Sequence, residues 1–468
     1  MHREPLPSSA PVLASGEGRA SGLTRDASGT ATTDGGAGLV GRYRWLVCAL
    51  LFFATTVNYM DRQILSLLKP LLDTELKWTN AQFGMVNAAF QAAYAIGLLS
   101  FGALIDRVGT KIGYAVSIAA WSLAAMSHAL VGSVNGFFAA RFALGLGEGG
   151  NFPSAIKAVA IWFPPRERAY ATALFNSGSN VGAIIAPAIV PWMALSFGWR
   201  SAFVAAGVAG LVWLAFWIPW YDVPERIAKL TASELAHIRS QDGQSAGAIG
   251  SSVAEARFSW AEILRHRQAW AFIVAKFLTD PVWWFFLIWL PDYFKKTRGL
   301  AIKDSWVYLV TIYSIVTVLS IFGGWLSGFL TGRGMDLTRA RKIALFTFAC
   351  TVLPILAVTH VGNWAAVILI GIAGASHQAW SANLFTSASD MFPKRAVASV
   401  VGIGSMAGSL GGILFPIFSG KLLDRFAAAG NVTSGYAILF GICGSAYLVA
   451  FALNHLLAPT FAPIQTPA

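Results

Sequence analysis

VNGFFAARFALGLGEGGNFPSAIKAVAIW, residues 134–162, is an apolar block longer than the roughly 20 residues a helix needs to cross about 30 Å of hydrocarbon. An arginine and a glutamate, Arg141 and Glu148, nevertheless lie inside it. Working outward, similar blocks recur near 45–67, 82–105, 112–131, 169–193, 200–220, 269–291, 306–331, 342–360, 363–391, 397–420 and 436–457. With 134–162 as the fourth, these predict twelve membrane spans. Composition agrees: 56% of the 468 residues are hydrophobic and 12% charged, about half the charge of an ordinary soluble domain. One very large soluble core would also be poor in charge, but the block lengths favour a bilayer.

The expected fold class is therefore an all-α polytopic membrane protein, twelve transmembrane helices in two six-helix bundles. Residues 1–40, rich in Ser, Gly, Ala and Thr, fit neither a signal peptide nor a span and are expected to be a disordered cytoplasmic tail. Residues 41–220 form the first bundle, 221–268 a cytoplasmic linker and 269–460 the second bundle. The net charge of +12 sits mostly in alternate gaps between blocks. Arg42 and Arg44, Arg107 and Lys111, Arg166 and Arg168, Arg333 to Lys342, and Lys394 and Arg395 mark one side, and predict that both termini are cytoplasmic. Lys295, Lys296 and Arg298 go against the trend. A nucleic-acid binder would gather its basic residues on one accessible face, so no nucleic-acid partner is expected. Cys48, Cys350 and Cys443 fall inside apolar blocks without ligand spacing, and neither a disulfide framework nor a metal site follows.

The two halves resemble each other. FPPRERAYATALFNSGSNVGAIIAP at 163–187 has a counterpart in FPKRAVASVVGIGSMAGSLGGILFP at 392–416, and GALIDRVGTK at 102–111 a weaker echo at 324–334. A 6+6 repeat with the substrate between halves is a common transporter plan. The small residues along spans 5 and 11 predict close approach of the halves.

Charges inside spans cost several kcal/mol unless paired or solvated. Asp61 and Arg62 lie in span 1, within NYMDRQ, and Arg141 and Glu148 in span 4. Seven helical positions turn about 700°, so Arg141 and Glu148 share a face to within about 20°, flanked by Gly145, Gly147, Gly149 and Gly150. Asn58 precedes Arg62 by one turn. Two internal ion pairs joining spans 1 and 4 would explain the set. So would a functional site, in which an arginine fork holds a ligand carboxylate and a desolvated acid binds and releases protons. Asp106, Arg107 and Gly109 at the cytoplasmic turn after span 2 suit gating or packing. In span 10, His377 and Gln378 partly share a face, whereas Asn383 lies about 120° from His377. His377 could make a helix-to-helix hydrogen bond or meet substrate. In span 7, Lys276, Thr279 and Asp280 precede Trp283 and Trp284, which could pack or stack on a sugar ring.

These strings resemble the major facilitator superfamily over roughly 42–457, and within it the anion:cation symporter family, above all its bacterial hexuronate transporters. The resemblance rests on GALIDRVGTK, on NYMDRQ, on RFALGLGEGGNFPSAIKAVAIWFPPRER at 141–168, on DPVWWFFLIWLPDYFKKTRGL at 280–300, and on HQAWSANLFTSASDMFPKRAVASVVGIG at 377–404. It implies proton-coupled uptake of a sugar-acid anion, glucuronate or galacturonate, across a bacterial inner membrane. The implied partners are that small anion, protons and the lipid bilayer; a monomer without cofactor or metal is expected, with H⁺ as coupling ion. Carried over by motif, Arg62 would bind the carboxylate beside Tyr59 and Tyr94; the residues themselves offer Asn58, Trp283, His377, Gln378 and Asn383 as further substrate contacts. Asp61 and Glu148 would carry protons, with Arg141 interacting with Asp61. The alternatives are an organic-anion antiporter or exporter, or an aldonate transporter, on the same fold. The Gly-Pro pair of the drug antiporters in span 5 is not matched, since Ala186 precedes Pro187. An enzyme is not expected: no nucleophile motif or nucleotide loop appears, and GLGEGG lies in an apolar span without a preceding strand. A receptor is disfavoured by a central loop too short for a signalling domain.

Overall fold

Large apolar side chains cover the outside of this molecule, and charged ones gather within it. Leu99, Trp192, Phe53 and Leu195 are 75%, 59%, 58% and 54% exposed, whereas Asp61, Lys69, Arg141, Glu148 and Asp292 are buried. In water this distribution would be unstable; in hydrocarbon the outward apolar surface costs nothing and the helices satisfy their own backbone. The computed structural model describes residues 42–239 and 260–464. The expected tail over 1–40 and the middle of the linker lie outside the described residues.

The first half contains α1 (Tyr43–Leu76), α2 (Asn80–Val108), α3 (Thr110–Ser127), α4 (Val134–Glu148), α5 (Asn151–Trp162), α6 (Pro165–Phe197) and α7 (Trp199–Trp220). Two short helices of the linker follow, α8 (Ala232–Arg239) and α9 (Trp260–Arg265). The second half contains α10 (Arg267–Arg298), α11 (Ile302–Gly332), α12 (Leu337–Val352), α13 (Asn363–Met391), α14 (Lys394–Ala428) and α15 (Val432–Leu457). Nine helices among the described residues are long and apolar enough to cross a membrane. Three further crossings complete twelve: α1, which carries the charges of NYMDRQ; the short α3; and α4 with α5, a single crossing interrupted at Gly149–Gly150. The expected unbroken span 134–162 is thus two helices. α1 also runs nine residues beyond the expected border at 67, through Pro70, because Lys69 and Asp73 find partners there.

The internal repeat is legible in dihedral angles. α6 starts after Pro164 at φ −61°, ψ 152°, and α14 after Pro393 at φ −61°, ψ 149°. The preceding Phe163 and Phe392 are both extended, at φ −123°, ψ 134° and φ −116°, ψ 143°. A proline at the N-cap sets both turns, since its φ is locked near −65°. The small residues of spans 5 and 11 divide their work differently from the expectation. A Cβ on Gly178 or Gly182 of α6 would strike α1 of the same half, at the Phe52 and Thr56 carbonyls. Close approach between halves is made by Gly84 of α2 against Pro416, and by Gly420 of α14 against Asn80.

At that end of the molecule a polar network ties the halves together. The fully buried Lys69 ammonium donates to Asp73 (2.7 Å), Asn80 (3.0 Å) and Asp292 (2.9 Å). Tyr436 donates to the other Asp292 oxygen (2.6 Å), and Asp424 accepts from the Asn80 and Ala81 amides (2.8 and 2.7 Å). Removing one member of a buried pair costs about 3–5 kcal/mol, whereas replacing the whole pair by apolar groups is often neutral. Lys69→Met is therefore expected to lower the thermal unfolding temperature in detergent, since Asp292 then keeps only Lys296 (3.3 Å) as a counter-charge. A single variant as stable as the wild type would show that Asp292 does not depend on Lys69.

The opposite end carries the linker. Glu234 of α8 accepts from the Tyr43 and Arg44 amides (3.2 and 3.1 Å), supplying the N-terminal cap that the start of α1 lacks. Glu167 receives Arg44 (3.0 Å) and lies 2.8 Å from His237 Nε2. Burial pushes the Glu167 carboxyl up, but these hydrogen bonds outweigh it and hold it below the ordinary glutamate value. Its contribution is present at neutral pH and is lost only as acid titrates that lowered group.

Candidate functional site

α1 and α4 meet through charge at the centre of the first half. Arg62 donates from Nε to Glu148 Oε2 at 2.7 Å, with side chains 6% and 0% exposed. Glu148 is the last residue of α4, at the break before α5. Arg141, one face and two turns earlier, donates from Nη2 to the Arg62 carbonyl at 2.9 Å. The glycines of RFALGLGEGG make this possible. A Cβ on Gly145 would strike the Phe90 carbonyl, and one on Gly149 the backbone of Gly97, so α2 and α4 touch main chain to main chain.

The Arg62 guanidinium lies in an aromatic box. Its carbon is 4.4 Å from the Tyr94 ring centre, 4.9 Å from Tyr59, 5.4 Å from Phe90 and 5.9 Å from Trp284. These rings exclude water while attracting the cation through their π faces. Trp284 comes from α10, so the second half contributes a wall to the arginine of the first.

Several buried polar atoms in this cluster have no hydrogen-bond partner: both Asp61 carboxyl oxygens, Glu148 Oε1, and Arg141 Nε and Nη1. Such atoms are rare in a settled core and mark places where a proton, water or ligand belongs. Asp61 feels Glu148, Arg141 and Arg62 electrostatically, without an ion-pair contact to either arginine among the described residues. Asn58 lies beside Glu148.

A cavity of about 600 Å³ adjoins this cluster between the halves. Tyr59, Trp283, Trp284, His377 and Gln378 line it. It extends toward the end where α6 and α10 begin, and away from the Lys69–Asp292 network. His377 stacks on Trp283 with ring centres 5.7 Å apart and planes at 5°, and its Nδ1 is 2.7 Å from the Tyr447 hydroxyl. His377 thus makes the interhelical hydrogen bond while standing in the cavity wall.

Other expected contacts lie elsewhere. Arg62 and Asn58 are buried behind the wall formed by Tyr59 and Trp284, and Tyr94, half-buried against Arg62, is not part of that wall. Asn383 is not part of the wall: it is buried, with Nδ2 donating to the Ala379 carbonyl at 2.9 Å, because it points about 120° away from His377. Asp106 pairs with Lys157 of α5 at 2.7 Å and Arg107 is exposed, so the contacts of this turn stay within the first half. Gly109 holds φ +85°, ψ 161°, a conformation suited to glycine, in the tight turn from α2 to α3. The cavity also takes Asn176 and Asn180 from α6, which the sequence reading passed over. Their four-residue spacing on a small-residue helix was the available signal.

Residues 51–416 match the profile of the Major Facilitator Superfamily. The chain belongs to the major facilitator superfamily. A hexuronate transporter of Escherichia coli (strain K12) is 32% identical over 401 residues, covering 85% of this chain and 90% of the relative. A galacturonate transporter of Dickeya chrysanthemi is 32% identical over 283 residues, covering 60% and 81%. The fold is similar to that of a bacterial homologue of the human lysosomal transporter Spinster in an inward-facing, occupied conformation, with TM-score 0.71, 18% identity, and coverage of 92% of this chain and all of that one. This superfamily member is a multi-pass membrane transporter of a small molecule, not an enzyme.

Proposed function

We propose that the protein imports a hexuronate, glucuronate or galacturonate, together with protons across a bacterial inner membrane, working as a monomer without cofactor. The observation that carries this reading is the buried Arg62–Glu148 pair behind the cavity wall, with the Asp61 carboxyl unpaired beside it. Arg62 and Arg141 balance Asp61 and Glu148 in charge. A bound carboxylate would leave one uncompensated negative charge in a low-dielectric site, at a cost of several kcal/mol. A proton on Glu148 removes that cost and releases Arg62 for the ligand in one step. Asp61, whose carboxyl oxygens have no hydrogen-bond partner, is the other acid of the cluster that can hold that proton.

With both termini cytoplasmic, as the Lys/Arg bias suggests, the cavity opens inward and the Lys69–Asp292 network closes the outer end. Alternating access then requires that network to part while the rims of the cavity close. His377, Gln378, Asn176 and Asn180 offer donors and acceptors for sugar hydroxyls, and Trp283 a face for the ring. The names of the relatives support the same substrate class. Equilibrium binding of labelled galacturonate to the purified protein tests it. Saturable binding displaced by glucuronate and not by glucose is expected; absence of binding by any sugar acid removes the reading.

A further inference from the structure

We propose that Lys276 and Asp280 stay paired and together select the sugar hydroxyls, a hydroxyl accepting from the ammonium while it or its neighbour donates to the carboxylate. This rests on the sugar-acid reading above and names the residues that tell a hydroxylated acid from a plain one.

Lys276 and Asp280 are the charged side chains of the cavity wall. The Lys276 ammonium lies 2.7 Å from Asp280 Oδ2, with side chains 6% and 19% exposed. Asp280 Oδ1 has no hydrogen-bond partner among the described residues, and the ammonium keeps donors beyond the one that Asp280 takes. Packing holds the pair in place. A Cβ on Gly408 of α14 would run into the Asp280 carboxylate, and the ammonium lies 4.3 Å from the Phe385 ring centre.

The pair does little for the fold. Its members stand at i and i+4 on one helix, so it joins no two elements and adds little stability. The Lys69–Asp292 pair, by contrast, bridges the halves. A neutral wall would avoid the desolvation that Lys276 and Asp280 cost.

Net charge decides what such a pair can bind. An anion taken by Lys276, or a cation taken by Asp280, would leave the other member unpaired in a poorly hydrated wall. A hydroxyl is neutral and is donor and acceptor at once. It can accept from Lys276 and donate to Asp280 Oδ1 without separating them, and hydrogen bonds to charged groups are roughly twice as strong as neutral ones. The position agrees. Asp280 lies one turn, about 6 Å of rise, before Trp284, which walls Arg62, and three residues before Trp283. A carboxylate at Arg62 then leaves the C2 and C3 hydroxyls, across the ring from it, to Lys276 and Asp280.

Displacement of labelled galacturonate from the purified protein by 2-deoxy- and 3-deoxygalacturonate tests the inference. The three acids carry the same charge, so a changed potential in a variant moves them together, and only a lost hydroxyl contact separates them. In the wild type, at least one deoxy acid should bind about tenfold or more weakly than galacturonate. In Asp280→Asn, galacturonate should lose about that factor and the same deoxy acid less than about threefold, so that the discrimination collapses. Lys276→Gln should act alike, and it carries the test if thermal unfolding shows Asp280→Asn to be misfolded. A wild type that does not distinguish the three acids would overturn the inference. So would variants that keep the discrimination, whether all three acids weaken together or none does. Absence of galacturonate binding by folded wild-type protein would remove the proposed function itself, and this inference with it.

Discussion

Glu148→Gln is expected to abolish gradient-driven accumulation while leaving exchange of internal for external substrate. Glutamine keeps the shape and can still accept from Arg62, so the α1–α4 contact at 2.7 Å survives in weaker form. What it cannot do is change charge. The site is then held permanently in the neutral state that a proton would otherwise create, with Arg62 kept only by a neutral hydrogen bond that a substrate carboxylate can displace from either side. Uptake under an inside-alkaline gradient should fall to equilibration with the outside concentration, and counterflow should persist. Because Glu148 is fully buried and fills the break between α4 and α5, thermal unfolding of the variant serves as the control for folding. Normal accumulation would take Glu148 out of the coupling path.

Arg62→Lys should weaken substrate binding despite keeping the charge. The guanidinium gives Nε to Glu148, and once a proton on Glu148 releases it, its planar set of donors suits a fork toward a carboxylate. A lysine offers a point charge and cannot reproduce that bidentate geometry. Loss of a charge-assisted hydrogen bond costs about 1.5–3 kcal/mol, or roughly 10- to 150-fold in affinity. The four rings around Arg62 would sharpen the effect, since they fit a flat cation. Direct binding measurements check it, and unchanged affinity would mean that the carboxylate docks elsewhere.

Much of this was readable from the sequence, for reasons that can be given residue by residue. The bilayer imposes a length on every crossing, so the blocks around 82–105 or 363–391 marked α2 and α13 closely. The break in the fourth crossing had a local signal, GEGGNFP, but an apolar count over 134–162 passes across it. The extension of α1 to Leu76 had none, because Lys69 and Asp73 look like the end of a span until Asp292 and Asn80 arrive from far along the chain. In the site, helical periodicity placed Arg141 and Glu148 on one face. It could not decide which arginine takes Glu148, since that depends on how α1 crosses α4; the structure gives Arg62. Asn176 and Asn180 were hidden by their small neighbours, which suggested packing alone. Asn383 illustrates the reverse case. Its residue type suits a ligand, and the helical wheel already argued that it could not share one with His377.

The central claim is that sugar-acid entry is coupled to protons. It is tested most directly by uptake of labelled glucuronate into proteoliposomes, with and without an imposed inside-alkaline pH gradient. Accumulation above the external concentration that requires the gradient, and is competed by galacturonate but not by glucose, is the predicted result. Uptake that only equilibrates, unaffected by the gradient and accelerated by internal substrate, would contradict the account and point to an organic-anion exchanger on the same fold.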